Sequence, residues 1–339
     1  METSGLHTCE EPLAARYDLT MLDLDGVVYI GSAAVPGVAG QLARAASLGT
    51  RLAYVTNNAS RSAQTVAEHL ASLGLPAVAS QVVTSPQAAA RQVLQRFPPG
   101  SPVAVLGGPG IAAALLEAGL RPVAVTAAEA VAVVTGYGPE VVWSDVVTAA
   151  QRIRQGLAWF AANADLTFPT PQGLAPGHGA LVALLADFTG VAPVVAGKPE
   201  PALLEEVIHR HGGRRPLMVG DRLDTDILGA RRAGVDALLV LTGVTGLAEL
   251  VAADPAERPT YISTTLAGLG ETHPAPVLQG GGWSLGGWFT EVQEGRLTVT
   301  GQGPASDWWR CVATASWTWR DRHGRTVDTA GVEPPGTVA

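Results

Sequence analysis

Little in this sequence suits an extracellular, membrane-bound or nucleic-acid-binding protein. Among 339 residues there are two cysteines, Cys9 and Cys311, which form neither a disulfide scaffold nor a thiolate metal cluster. A reducing cytosol fits such a chain. No uncharged apolar run reaches the roughly 18–20 residues that a membrane helix needs. The opening stretch "METSGLHTCEEPLAARYD" has no basic head followed by an apolar run, so no secretory signal is expected. Lysines and arginines form no block, and the formal net charge of −8 repels nucleic acid and anionic membrane. A soluble, cytoplasmic protein follows as the expectation, with neither nucleic acid nor membrane as a partner. An anionic small substrate would need a local positive site or a metal.

What the sequence does contain is a long alternation of apolar runs and helix-like segments. At 339 residues the chain exceeds the usual ~100–200 of one domain, so two domains, or two with a short appendage, are expected. "YDLTMLDLDGV" reads as a buried strand, "PGVAGQLARAASLGT" as a helix with a glycine stop, "RLAYVTNN" as the next strand and "SRSAQTVAEHLASLGL" as the next helix. Strands apolar on both sides, separated by helices, predict a parallel sheet covered on both faces. Further units continue through "SPVAVLGG", "AVAVVTGY" and "LAWFAANAD", and others resume at "APVVAGKPEP", "RPLMVGDRLD" and "VDALLVLTGVT".

The expected fold class is α/β: a doubly wound, Rossmann-like parallel-sheet core over residues 1–81 and 193–268, interrupted by an inserted α/β domain at 82–192, with a small α+β appendage at 269–339. Six of the eight tryptophans fall in that appendage. "GWFTEVQEGRLTVTG" predicts a hairpin turning at Glu294-Gly295. "DWWRCVATASWTW" sets Trp308, Val312, Ala315 and Trp319 at helical spacing. An aromatic helix packed on a hairpin is the simplest reading of this region.

Four polar clusters each stand at the end of a predicted parallel strand: Asp23 with Asp25, Thr56-Asn57-Asn58, Lys198, and Asp221. That edge of an open α/β sheet is where ligands bind. Each cluster alone has an ordinary explanation: a turn at "DLDG", a helix cap at "TNN", a solvated lysine in "GKPEP". Four in order at one edge are hard to assign to turns and caps alone. Asp23, Asp25 and Asp221 converging there would repel one another unless a cation joined them. With oxygen donors and no cysteine or histidine cluster, that cation is expected to be Mg²⁺. A hydroxyl at Thr56 and an ammonium at Lys198 would hold further phosphoryl oxygens, and a free carboxylate could attack phosphorus.

"DLDGVVYIG", "VTNNASRS", "AGKPEP" and "GDRLDTDI" resemble the four ordered motifs of haloacid dehalogenase superfamily phosphatases. The inserted domain resembles the type IIA cap of nitrophenylphosphatase-like, pyridoxal-phosphate and phosphoglycolate phosphatases. The resemblance spans roughly residues 17–266 and implies roles for individual residues. Asp23 would be the nucleophile, and Asp25 would protonate the leaving alkoxide and then activate water. Mg²⁺ would be held by the Asp23 carboxylate, the Asp25 carbonyl and Asp221. Thr56 and Asn57 would contact the phosphate with Asn58 beside them, Lys198 would balance charge at the nucleophile, and Asp226 would act from behind on metal-bound water or Lys198. Asp224 has helix capping as its simplest role.

Asp25 itself argues for phosphate esters, since the dehalogenases of the superfamily lack the second aspartate of "DxD". The tryptophan-rich appendage and the segment "AANADLTFPTPQGLAPGHGAL" resemble actinobacterial members that act as glycerol-3-phosphate phosphatases. Specificity is expected from the cap, where Asn163 and His178 would meet the leaving group; the ordinary alternative for His178 is a solvated loop histidine. Asparagine and aspartate with few aromatics favour a polyol over a pyridoxal ring. The expected partner is a small phosphorylated metabolite, with a homo-oligomer through the cap also anticipated. The rival readings are a receiver-type domain, which takes only about 120 residues, a phosphomutase or phosphotransferase on the same core, and a non-catalytic binding protein working through its tryptophans.

Overall fold

Apolar residues without alternation, as in Leu217–Val219 and Ala237–Val240, have no side that tolerates water, and they become buried strands. A computed structural model describes residues 5–170 and 173–336. It divides into two units by internal contacts, Met1–Leu52 with Gly213–Ala339, and Ala53–Gly212.

In the first unit the strands Leu19–Asp23, Pro216–Gly220, Asp236–Val240 and Tyr261–Ser263 lie side by side in that order, all parallel. Leu19 pairs with Pro216 and Leu22 with Val219, so strands almost two hundred residues apart in sequence end together. Every residue of Leu19–Asp23 is buried. The helix Val38–Ser47 turns Val38, Leu42 and Ala45 inward, the spacing of one helical face.

The expected hairpin is present. Trp288–Gln293 and Arg296–Gly301 pair antiparallel around Glu294 and Gly295, both at positive φ as a tight two-residue turn requires. With Val277–Gln279 and Gly282–Leu285 they form a four-stranded antiparallel sheet. The helix Ala305–His323 packs on this sheet. Trp308, Val312 and Ala315 are buried as their spacing predicts, whereas Trp319 is half-buried and Trp317 is buried in its place. A single helical stripe does not describe this helix because a second face meets the core. There the Trp317 indole N–H donates to the Leu250 carbonyl at 2.8 Å, and Arg310 Nε donates to the Ile262 carbonyl at 3.0 Å.

The second unit holds a five-stranded parallel sheet, in the order Val194–Val195, Ala158–Ala161, Ala132–Thr135, Pro102–Leu106, Arg121–Val123. Its packed side buries Val133, Trp159, Ala149, Ile153 and Leu185. In the same unit the strand end Tyr54–Thr56 pairs in parallel with Val82–Thr84. The hairpin arm Gly173–Pro176 leads into the helix His178–Thr189.

Candidate active site

In the first unit, the parallel register delivers two carboxylates to one edge. Asp23 closes its strand, and Asp221 directly follows the neighbouring strand Pro216–Gly220. A wide turn then brings in Asp226: the Ile227 N–H reaches back five residues to the Arg222 carbonyl at 3.1 Å. Asp226 Oδ2 accepts the main-chain N–H groups of Asp221 at 3.2 Å and Arg222 at 3.1 Å. One oxygen from each of Asp23, Asp221 and Asp226 lies within 4.8 Å of the others, and all three residues are buried. Asp226, expected to act from behind, lies within that distance of the other two while its Oδ2 holds the main chain around Asp221.

Asp221 is held by the Val244 N–H, which donates to Oδ2 at 2.6 Å, and by the Thr245 hydroxyl on its carbonyl. Gly26 and Gly243 stand against its carboxylate, and a Cβ at either position would collide with Oδ2. Gly26 also has φ +86°, which carries the chain away after Asp25. Asp23 is 9 % exposed, whereas Asp25 is open to water. Two carboxylates one residue apart therefore sit in different media, the arrangement that separates a nucleophile from a proton carrier. The all-oxygen donor set suits a hard divalent cation such as Mg²⁺.

In the second unit, Thr56 ends its strand, is buried, and accepts the Asn58 N–H on Oγ1 at 3.1 Å. Lys198, the one lysine in the sequence, is 3 % exposed. Between them sits Asn57. Its Oδ1 accepts the Lys198 N–H at 2.9 Å, and its Nδ2 donates to the Lys198 carbonyl at 2.9 Å and to both Asp165 carboxylate oxygens at 3.1 Å. The Asn57 carbonyl accepts from Asn163 Nδ2 at 2.7 Å and from the Ser85 hydroxyl at 2.8 Å.

These bonds show what the protein itself asks of several of the expected residues. Asn57 does not turn its side chain to a ligand, because both amide hydrogens and the oxygen are engaged by protein groups. Asn163 is buried in the same network: besides bonding Asn57, its Oδ1 accepts the Asp165 N–H at 3.2 Å. Asn58 is exposed, and its Oδ1 accepts the Ser60 N–H at 2.8 Å and hydroxyl at 2.7 Å, an Asx turn that shapes the approach to the next helix. The cap of that helix is Ser62, not the asparagines.

His178 is no solvated loop residue. It opens the helix His178–Thr189, is 3 % exposed, and its Nδ1 lies 2.8 Å from the Asn163 carbonyl. A carbonyl only accepts, so Nδ1 carries the proton and Nε2 presents a lone pair. Burial pushes its pKa down to about 4 against the opposing pull of the carbonyl bond. Asp224 caps nothing; it pairs with Arg222 through two bonds, at 3.1 and 2.7 Å. Ser85 carried no sequence signal for its role, since its partner is a main-chain oxygen 28 residues away.

The profile of the haloacid dehalogenase-like hydrolases matches residues 20–121, and a related hydrolase profile matches residues 195–269. D-glycerol 3-phosphate phosphatase of Mycobacterium tuberculosis is 41 % identical over 326 residues, 93 % of this chain and 90 % of that one. A 5'-nucleotidase of Bacillus subtilis is 35 % identical over 73 % of this chain and 94 % of its own. The crystal structure of the M. tuberculosis glycerol phosphate phosphatase in complex with magnesium superposes with a TM-score of 0.82 at 42 % identity, covering 91 % of this chain and 92 % of that one. No helix among the described residues is long and apolar enough to cross a membrane. Two hydrolase profiles, a relative alike over nearly the whole length and a buried carboxylate cluster at the strand ends agree: the chain belongs to the haloacid dehalogenase-like hydrolases.

Proposed function

We propose that the protein is a Mg²⁺-dependent phosphatase that hydrolyses a small phosphate monoester through an aspartyl-phosphate, with glycerol 3-phosphate as substrate. The observation that carries this reading is the buried cluster of Asp23, Asp221 and Asp226 at the strand ends, in a family of hydrolases. The choice of glycerol 3-phosphate rests on the M. tuberculosis relative, whose similarity extends over 93 % of this chain.

Asp23 attacks phosphorus in line with the departing ester oxygen. The P–O ester bond breaks, the alkoxide takes the Asp25 proton, and the phosphoryl group rests on Asp23. Asp25, now ionised, draws a proton from water; the resulting hydroxide attacks phosphorus, and the Asp23 carboxylate is released with inorganic phosphate. The Thr56 hydroxyl and the Asn57 main-chain N–H bind phosphoryl oxygens, and the Lys198 ammonium offsets their charge. Asp23, Asp221 and the Asp25 carbonyl would hold Mg²⁺, which supplies charge neutralisation for the phosphoryl oxygens. Residues 82–192 act as the cap that recognises the leaving alcohol, with the His178 lone pair as an acceptor for a hydroxyl. A cytoplasmic location and a homo-oligomer formed through the cap complete the proposal.

The test is a panel of monoesters (glycerol 3-phosphate, phosphoglycolate, pyridoxal 5'-phosphate, sugar phosphates and nucleoside monophosphates) ranked by kcat/KM with Mg²⁺. Glycerol 3-phosphate is expected to lead, with stoichiometric inorganic phosphate. Transfer of the phosphoryl group to a second sugar, without free phosphate, would replace hydrolysis by a mutase activity.

A further inference from the structure

We propose that Asn57 is a positioning residue for Lys198, gripping its peptide so that the ammonium is presented from a fixed point. A side-chain amide can accept from the N–H and donate to the C=O of one and the same residue, and Asn57 does both to Lys198, at 2.9 Å each. It thereby acts as a neighbouring strand would, just where the edge strand Val194–Val195 has ended. A carboxylate of the same length would keep the first bond, lose the second and face Asp165. Glutamine would be one methylene too long.

The grip is itself anchored. Ser85 and Asn163 hold the Asn57 carbonyl, Asp165 holds its Nδ2, and His178 holds the Asn163 carbonyl. Gly197 is part of the fit: a Cβ there would lie 2.7 Å from Asn57 Oδ1 and 2.7 Å from the Ala162 carbonyl. Lysine carries a compact charge on a flexible four-carbon stem, and fixing its Cα is the main way to narrow where that charge falls. Positional error of an ångström can cost on the order of 100-fold in rate. The segment from Asn163 to His178, apart in sequence from both motifs, thus bears on Lys198 through one asparagine.

This inference rests on the proposed role of Lys198, and the experiment separates the two. Because Lys198 is the sole lysine, protein labelled with ¹³Cε-lysine gives one lysine signal, whose line width and titration are read directly. Asn57→Ala is expected to shift or broaden that signal and to lower kcat for 4-nitrophenyl phosphate about 10- to 100-fold, with KM and inhibition by inorganic phosphate within about threefold. In a Lys198→Ala background the same change is expected to cost less than about twofold further. Asn57→Asp, which keeps the side-chain size and one bond, serves if the alanine variant does not fold. A large rise in KM with an unmoved lysine signal, or a full further loss in the Lys198→Ala background, would make the Asn57 side chain a phosphate ligand and overturn the inference. Lys198→Ala with wild-type activity would instead remove the catalytic role of Lys198, while the lysine signal still reports whether Asn57 grips it.

Discussion

Two buried polar clusters of the first unit are built differently. Asp23, Asp221 and Asp226 gather three carboxylates within 4.8 Å. Arg310, Asp307 and His273, equally buried, form a matched set. Arg310 Nη1 donates to Asp307 at 2.9 Å, Nη2 to His273 Nδ1 at 3.0 Å and Nε to the Ile262 carbonyl at 3.0 Å. His273 Nε2 in turn lies 2.8 Å from the Gly268 carbonyl. The matched set answers its own charge and fastens the C-terminal helix to the last core strand. The three carboxylates instead form an all-oxygen donor set of one sign, which suits a hard divalent cation. Burial does not mark the site; charge of one sign, gathered at strand ends, does.

The strongest way to break this contrast is to neutralise one carboxylate. Asp23→Asn is expected to lower kcat by on the order of 10³-fold or more, because the proposed nucleophile is gone. Mg²⁺ is expected to raise the melting temperature of the wild-type protein and to do so less for Asp221→Asn, because binding to the native state alone stabilises it. A thermal melt with and without chelator decides this apart from activity. Near wild-type turnover in Asp23→Asn would end the nucleophile assignment.

The matched cluster should respond the opposite way. Arg310→Met strands Asp307 and is expected to cost roughly 3–5 kcal/mol in urea unfolding, the usual result of removing one member of a buried ion pair. Turnover per folded molecule should stay within about twofold. A variant with normal stability and lost turnover would place this cluster in the reaction and dissolve the contrast.

Sequence alone carried the strand ends, the acidic edge and the Glu294-Gly295 hairpin, because each is a local pattern: an apolar run, a charge at its end, a turn that needs positive φ. What it did not carry depends on partners far along the chain. The Asn57 side chain reads as a phosphate contact until Lys198, 141 residues on, occupies its amide. His178 reads as a loop residue until the Asn163 carbonyl and the helix it opens bury it. Asp226 joins the cluster only through a turn one residue wider than an α-helix. Trp317 was hidden because helical spacing describes one buried face and this helix has two.

Acid should find the buried histidines before it finds the carboxylate pairs on the surface. His273 is held near pKa 4 by burial and by the neighbouring Arg310, against the pull of the Gly268 carbonyl, and His178 stands near 4 as well. Both folded values lie below the unfolded value of about 6.5, so folding favours the neutral ring. Their contribution is complete above about pH 6.5 and is lost as pH falls towards 4. By pH 5 the loss is roughly 2 kcal/mol for each ring. For His273, Asp307 on the far side of Arg310 offsets part of the repulsion without removing it. Urea unfolding at pH 7 and pH 5 is expected to show the decline, and His273→Gln should roughly halve it, His178 carrying the rest. An equal decline in that variant would assign the acid sensitivity elsewhere.

The smallest effect is expected two residues from the carboxylate cluster, and it sharpens the contrast most finely. Asp224 and Asp226 lie in the same turn. Asp226 is buried and receives two main-chain N–H groups, whereas Asp224 is 58 % exposed and meets Arg222, itself 38 % exposed, in a two-bond pair. Water screens that pair on both sides, so it is worth between zero and about 1 kcal/mol. Asp224→Ala should therefore shift the unfolding midpoint barely and leave kcat within about twofold, with no change in the response to Mg²⁺. If the substitution instead cut turnover tenfold, the Arg222–Asp224 pair would be shaping the turn that carries Asp226 inward. The cluster would then extend to the surface, and the three buried carboxylates would no longer suffice to delimit the site.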